Sequence, residues 1–171
     1  MTYVALLRGI NVGGVTVKMV DLKKLLEAEG FKDVKTLLAS GNALFDAPKS
    51  DPRRLAKKIA GALKAKYKRD ISVIVRPIHD IEMLVKANPF KGIRETKDTR
   101  FHVTFLDTSS KIHFKSSKDI RVTKTCPFAI CTVITVGQKS GTVDLMDLLK
   151  KHYGLVTTRN WNTVQKILKA V

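Results

Sequence analysis

The sequence of 171 residues predicts an α+β fold, a tandem duplication of two subdomains with antiparallel sheets. In the first half, short apolar segments and amphipathic helical segments follow the order β-α-β-β-α-β, which is the split-βαβ or ferredoxin-like pattern. In the second half a similar but incomplete succession follows, without a residue-level repeat. We therefore predict a ferredoxin-like subdomain over residues 1–76 and a second, degraded one with a C-terminal helix over residues 77–171.

The elements of the first half follow from the spacing of apolar residues. Continuous apolar runs predict strands buried on both faces, and apolar residues at three- and four-residue spacing predict helices. Asp51 followed by Pro52 is a good arrangement for the start of a helix. The predicted elements are strand Tyr3–Leu7, a loop to Lys18, helix Met19–Glu29, strand Val34–Ala39, a turn at Ser40–Asn42, strand Ala43–Asp46, a helix from Asp51 and strand Ile71–Arg76.

The second half is less regular. Residues 107–118 are polar and show no helical period where a crossover helix would be needed. The last helix is expected to have a cap at Thr157 or Thr158 and an inner stripe of Trp161, Val164 and Leu168. The predicted elements are helix Pro77–Asn88, strand Phe101–Leu106, strands Ile120–Lys124 and Phe128–Val136, and helices Val143–Tyr153 and Thr158–Ala170.

Composition excludes several classes of protein. Hydrophobic residues make up 44% and charged residues 27%, as in soluble globular proteins, and no run is long enough to span a membrane. The N-terminal segment has no secretory pattern, so we expect a cytoplasmic protein without a membrane partner. Cys126 and Cys131 match no zinc or redox spacing and are expected to be reduced thiols. The four histidines are scattered, and we predict no metal and no cofactor.

The charge is the strongest compositional signal. The chain has 32 basic and 15 acidic residues, a net charge of +17, and nine basic residues against one acidic residue lie between Lys49 and Arg69. Such an excess favours polyanions through counterion release, while a solvated helix face is the structural alternative. The candidate polyanion-binding residues on the second helix are Arg53, Arg54, Lys57, Lys58, Lys64 and Lys68.

Two polar motifs are expected at one edge of the first sheet. In the predicted topology, the end of the first strand and the turn between the second and third strands lie at the same edge, so Arg8–Asn11 and Ser40–Asn42 should be neighbours. Arginine, lysine, small polar side chains and flexible glycines suit a small anionic ligand, although the motif is neither a P-loop nor a dinucleotide fingerprint. The alternative is that these residues only satisfy loop backbone. The candidate ligand-binding residues are Arg8, Asn11, Gly13, Gly14, Lys18, Ser40, Asn42 and, from the last helix, Arg159.

These stretches together resemble an uncharacterised family, domain of unknown function 1697. The resemblance rests on "YVALLRGINVGG" at Tyr3–Gly14, "SGN" at Ser40–Asn42, "NPF" at Asn88–Phe90 and "TTRNWNTVQKI" at Thr157–Ile167. It implies two tandem ferredoxin-like subdomains, but no reaction, cofactor or partner. The chain departs from the family pattern after strand Phe101–Leu106, where no helix is evident, and at "GQKSGTV", which keeps only Gly137 and Ser140 of a family motif.

Three functions are consistent with the sequence. The first is binding of nucleic acid or another polyanion by the basic helix face, which we rank slightly above the second. The second is a small anionic-ligand pocket at the edge formed by Arg8–Asn11 and Ser40–Asn42. An enzyme of unknown reaction is included there, although no nucleophile–base pair or paired carboxylates are evident. The third is a structural or interaction module. The sequence does not fix the oligomeric state.

Overall fold

The computed structural model describes residues 1–11, 15–107, 116, 119–135, 149–151 and 153–171. The chain divides into two compact units. The first comprises Met1–Glu82 together with Ile167–Val171, and the second comprises Met83–Lys166. The boundary predicted after residue 76 stays a prediction.

The first unit contains a four-stranded antiparallel sheet with the strand order β2-β3-β1-β4. Central strand β1 pairs with β3 on one side and β4 on the other, and β2 pairs with β3 at the edge. Because β3 is antiparallel to both β1 and β2, those two strands run in the same direction. The elements are β1 (Thr2–Arg8), α1 (Met19–Ala28), β2 (Lys32–Leu37), β3 (Asn42–Asp46), α2 (Pro52–Tyr67) and β4 (Ser72–Pro77), followed by α3 (Ile78–Lys86).

The core of the first unit lies between the sheet and helices α1 and α2. Alternate residues of β1 point to the two faces of the sheet. Tyr3, Ala5 and Leu7 belong to the same apolar cluster as Leu22 of α1 and Ile59 of α2. The intervening residues, Val4 and Leu6, are also fully buried. The expectation that this strand is buried on both faces is confirmed.

Helix α2 has well-formed ends. Asp51 is its N-cap, and the Asp51 carboxylate accepts a hydrogen bond of 2.8 Å from the Arg53 backbone N–H. Pro52 occupies the first position, as expected from its fixed φ and missing N–H. Lys68 ends the helix in the left-handed conformation, with φ of 55°. The predicted start of this helix is confirmed.

The second unit contains another four-stranded antiparallel sheet, with the order β6-β7-β5-β8. Each strand takes the same relative place as its counterpart in the first sheet. The elements are β5 (Thr99–Leu106), β6 (Ile120–Cys126), β7 (Ala129–Thr135) and β8 (Val156–Asn160), followed directly by α4 (Trp161–Lys169). A core cluster on this sheet contains Leu106, Ile120, Ile130, Leu149 and Val156.

The prediction for the C-terminal motif was partly wrong. Residues 158–160 belong to strand β8, which pairs with β5, so the last helix begins at Trp161 and the second sheet has a fourth strand. Asn160, and not a threonine, caps the helix by accepting a 2.8 Å hydrogen bond from the Thr163 N–H. The buried stripe is Thr163, Val164 and Ile167, while Trp161 and Leu168 are only half-buried.

Some predictions fall outside the described residues. These include most of the polar segment 107–118, Gly137 and Ser140, and the first part of helix Val143–Tyr153, of which residues 149–151 and 153 are described as helical. Within the described ranges, no helix is long and apolar enough to cross a membrane.

Candidate functional site

The structure brings the two polar motifs of the first unit together at one edge of its sheet. The Leu7 N–H donates to the Gly41 carbonyl at 2.8 Å. The side-chain Nδ2 of Asn11 donates to the Ala39 carbonyl at 2.7 Å. Hydrogen bonds therefore join the β2–β3 turn both to the end of β1 and to the loop that follows β1.

Asn11 organises the loop between β1 and α1. Its backbone is left-handed, with φ of 57°, a conformation that asparagine tolerates better than most residues. Its side-chain Oδ1 accepts from the Val17 N–H at 2.8 Å, and its Nδ2 also donates to the Val17 carbonyl at 3.1 Å. The amide thus pairs with both backbone groups of Val17, much as a neighbouring strand would.

Asn42 has the corresponding role on the other side of the contact. It is fully buried, and its Nδ2 donates to the Leu37 carbonyl and to the Ser40 Oγ, each at 3.0 Å. A buried amide left without partners would cost about 1–3 kcal/mol, so these bonds stabilise the turn. Both asparagine amides serve the protein's own backbone, which favours the structural interpretation of this edge.

Arg8 and Lys18, two further predicted ligand-binding residues of the first unit, flank the loop between β1 and α1. Arg8 is half-buried at the end of β1, opposite Ser72 of β4. Lys18 is exposed at the N-cap of α1, and its side chain makes no capping hydrogen bond. Gly13 and Gly14 lie outside the described residues, so the expected glycine cradle has no structural description.

Gly41 belongs to the predicted Ser40–Asn42 turn and is important for this edge, although it is not among the candidate ligand-binding residues. Its φ is +75°, and a Cβ at this position would lie 2.5 Å from Ile10 Cδ1 and 3.0 Å from Leu7 Cβ. The turn therefore packs against the loop without room for even one methyl group. A glycine between Ser40 and Asn42 was the available signal, but sequence alone does not show what it contacts.

A cavity of about 260 Å³ lies elsewhere in the first unit. It is lined by Asp33, Lys35 and Asp46 among others, and none of the residues of the two polar motifs faces it. Lys35 Nζ donates to the carbonyls of residues 170 and 171 at 2.9 and 3.2 Å. This cavity is therefore separate from the edge that the sequence indicates.

Arg159 belongs to the second unit, where it lies on β8 opposite Val103 of β5. The prediction that it stands in the first turn of a helix was wrong. Its guanidinium donates to Thr157 Oγ1 and to the Thr158 carbonyl, both at 2.9 Å. Burial lowers the pKa of Arg159 to about 10, which still leaves it charged at neutral pH.

Helix α2 presents the basic face that the composition predicts. Its inner side buries Leu55, Ile59 and Leu63. All six candidate polyanion-binding residues are exposed: Arg53, Arg54, Lys57, Lys58, Lys64 and Lys68. At about 100° per residue, Arg53, Arg54, Lys57 and Lys64 project from the side opposite the buried stripe.

Contacts with acidic groups divide these cations into two sets. Lys58 lies 3.6 Å from a carboxylate oxygen of Glu29, and its Nζ is 5.1 Å from the centroid of the Phe31 ring. Lys66, a further basic residue of α2, is 4.0 Å from Asp21 of α1. Lys66 therefore bridges α2 to α1, and Lys58 bridges α2 to the C-cap residue of α1, so that both charges are partly neutralised.

The other set faces outward. Lys64 pairs with Asp70 at 2.8 Å, but both side chains are largely exposed. An ion pair of this kind contributes only about 0.2–1 kcal/mol. In the part of the chain that the structure describes, no acidic side chain lies within 4.0 Å of Arg54 or Lys57. Within the described residues, no ion pair therefore offsets the charge of these two cations.

The two cysteines lie on neighbouring strands of the second sheet. Both are free, with Cys126 half-buried in β6 and Cys131 buried in β7. Burial, together with nearby Cys126, raises the pKa of the Cys131 thiol to about 12, so the reactive thiolate is not formed at neutral pH. Among the described residues, no group of three or more His, Cys, Asp or Glu could hold a metal ion.

Comparison with known proteins found matches in structure and in sequence. A solved structure described as that of a conserved bacterial protein from Streptococcus pneumoniae is similar over 99% of this chain and 97% of that chain, with a TM-score of 0.74 and 22% sequence identity. At this identity the likeness shows a common fold alone. No curated protein matches the sequence. The model of the family "Protein of unknown function (DUF1697)" matches residues 1–125, and the chain therefore belongs to this family.

Proposed function

We propose that the protein binds nucleic acid through its phosphates, using the outward face of α2. The observation that carries this proposal is the pair Arg54 and Lys57, which are exposed and lie beyond 4.0 Å of any acidic side chain in the described residues. Neutralisation of phosphates by such cations releases condensed counterions, which drives binding without regard to sequence. The charge of +17 on the whole chain adds attraction at longer range.

The sheet is a poor candidate for base recognition. Ferredoxin-like RNA-binding domains stack bases on aromatic residues of an open sheet. In the first unit, the five residues from Tyr3 to Leu7 are each no more than 1% exposed, so β1 offers no such surface. Contacts through α2 alone would reach phosphates and would not specify a sequence.

The small-ligand pocket has less support. The amides of Asn11 and Asn42 already bond backbone groups of the loop and turn, and Gly41 packs directly against Ile10. A purely structural module would need the same loop contacts, but it would not need uncompensated cations along α2. Phosphate binding therefore explains these cations on α2, which a purely structural module does not require.

The test is a salt titration with matched charge variants. We would measure fluorescence anisotropy of a labelled 20-base-pair DNA between roughly 50 and 200 mM salt, where the counterion contribution changes steeply. The variant Arg54→Gln/Lys57→Gln removes two charges from the proposed surface. The control Lys91→Gln/Lys97→Gln removes two charges from exposed residues outside α2.

The expected difference follows from the salt slope. Each phosphate contact on B-DNA contributes about 0.9 to the slope of log K against log salt, so loss of two contacts lowers it by about 1.8. When the salt concentration rises fourfold, the affinity of the unmodified protein for DNA should fall by about tenfold more than the affinity of the variant. If the two double variants behave alike, only net charge matters and the proposal fails.

Two finer points stand as proposals alongside the function. We propose that both units are ferredoxin-like and arose by duplication, which the shared relative strand orders β2-β3-β1-β4 and β6-β7-β5-β8 support. The cytoplasmic location stays a prediction, and fractionation of cells expressing the protein would test it.

A further inference from the structure

We infer that the ligand of α2 is double-stranded nucleic acid, held with the helix lying across a groove and its cations on the phosphates of both sides. This inference rests on the proposed function and adds the form of nucleic acid. It follows from the arrangement of small and basic residues on the outward face of α2, and from the aromatic side chains of the first unit.

The outward cations form two clusters separated by a small residue. The first cluster is Arg54 and Lys57, and the second is Lys64 with Lys68 at the end of the helix. Between them, the outward-facing position is Gly61, which is exposed. A Cβ on Gly61 would have no atom within 4 Å, so nothing in the described protein covers this position.

The separation of the clusters suits a groove. Lys57 and Lys64 are seven residues apart, which is about 10.5 Å along the helix axis. The minor and major grooves of B-DNA are about 6 and 12 Å wide, a range that flexible lysine side chains can match. The absence of a side chain at Gly61 lets the helix backbone approach the duplex while both clusters reach phosphates.

Both clusters are accessible to phosphates, although Lys64 in the second cluster has an acidic partner. Arg54 and Lys57 have no acidic side chain within 4.0 Å among the described residues. Lys64 pairs with Asp70, whose side chain is 85% exposed, so a phosphate can replace this weak and screened partner. Lys68 is exposed at the helix end.

Single strands are disfavoured because the described surface of the first unit offers no platform for stacked bases. Proteins that bind single strands stack bases on exposed aromatic side chains. In this unit Tyr3, Phe31 and Phe45 are buried. Tyr67, at the end of α2, is half-buried with its hydroxyl oxygen inside, and Lys66 Nζ lies 5.5 Å from its ring centroid.

The experiment compares two substitutions of the same glycine. Gly61→Leu places a bulky uncharged side chain between the clusters, while Gly61→Ala leaves the space nearly open; both raise helix propensity, so folding is matched. Binding of each variant would be measured by anisotropy with a 20-base-pair DNA, a 20-base-pair RNA and a 20-nucleotide oligothymidine at roughly 50 mM salt. A flexible single strand can bend around the leucine, but a stiff duplex cannot.

We expect Gly61→Leu to bind both duplexes at least about tenfold more weakly than Gly61→Ala, as loss of one cluster's two phosphate contacts implies. The oligothymidine affinities of the two variants should agree within about twofold. If the leucine variant binds duplexes as well as the alanine variant, while Arg54→Gln/Lys57→Gln still weakens binding, the groove arrangement is wrong and the proposed function survives. If Arg54→Gln/Lys57→Gln binds like its charge-matched control, the proposed function itself fails.

Discussion

Substitution of Gly41 by alanine tests the packing of the β2–β3 turn against the loop after β1. Gly41 has φ of +75°, where an alanine costs about 1–2 kcal/mol because of its Cβ. The new Cβ would also lie 2.5 Å from Ile10 Cδ1 and 3.0 Å from Leu7 Cβ. Ile10 and Leu7 are buried, and overpacking of this kind costs about 1–3 kcal/mol more. The expected loss of stability is therefore about 2–5 kcal/mol.

Gly9→Ala is the matched control. Gly9 has nearly the same φ, +74°, but a Cβ there would have no atom within 4 Å. The control should lose only about 1–2 kcal/mol, since it carries the backbone cost without the clash. The difference between the two variants, about 1–3 kcal/mol, isolates the contact between turn and loop.

Hydrogen exchange of the β1 amides is the suitable assay, because these amides are buried in the first unit and report its opening free energy. A difference of about 1–3 kcal/mol predicts exchange about 5- to 150-fold faster in Gly41→Ala than in Gly9→Ala. Equal exchange in the two variants would refute the described packing of Gly41 on Ile10. The space beside Gly41 would then be open to a ligand after all.

Three further changes have defined outcomes. Asn42→Ala removes the donor to the Leu37 carbonyl and should cost about 1–3 kcal/mol in urea unfolding; an unchanged midpoint would mean that this buried amide is dispensable. Leu38→Gly should stabilise the protein by about 0.5–1 kcal/mol, because Leu38 has φ of 58° and is exposed; a lower midpoint would contradict this. Burial, and to a smaller extent the charge of Arg100, lowers the pKa of His102. As the pH falls through about 6.5, His102 therefore takes up a proton in the unfolded chain before it does so in the folded protein. Stability should therefore fall below that pH, and His102→Gln should reduce this loss in thermal unfolding between pH 7.5 and 5.5; an identical pH dependence in the variant would exclude His102 as the cause.

The proximity of the two polar motifs to each other could be predicted from the sequence, but the roles of their residues could not. Strand order alone brings the end of β1 and the β2–β3 turn to one edge. Whether the Asn11 amide points to a ligand or to Val17 depends on a left-handed backbone that composition does not reveal. The same residue types serve either purpose, so the sequence left both open.

The basic face of α2 was predictable from the helical period, whereas its division into two sets was not. The period shows that Lys58 and Lys57 both lie outside the apolar stripe. Only the packing of α1 beside α2 brings Glu29 to Lys58 and Asp21 to Lys66 and leaves Lys57 facing solvent. These partners are far apart along the chain and cannot be paired from local sequence.

Strand β8 was missed because two local signals compete in the C-terminal motif. Without regard to capping residues, the helical spacing of apolar residues in α4 extends back to Thr158. The β-branched run Val156–Thr158 favours a strand, and Asn160 is a good N-cap for a helix that begins at Trp161. Pairing with β5, a tertiary contact, decides in favour of the strand.

The most direct test of the central claim is a map of the contact surface by nuclear magnetic resonance, since the protein of 19.1 kDa is small enough for amide spectra. A 20-base-pair duplex would be added to the ¹⁵N-labelled protein, and shifts of the backbone amides would be followed. We predict shifts that cluster in α2, from Arg53 to Lys68, and fade as salt is raised. Shifts confined to the loop after β1 and to residues 38–42 would contradict the account and assign binding to the polar edge instead.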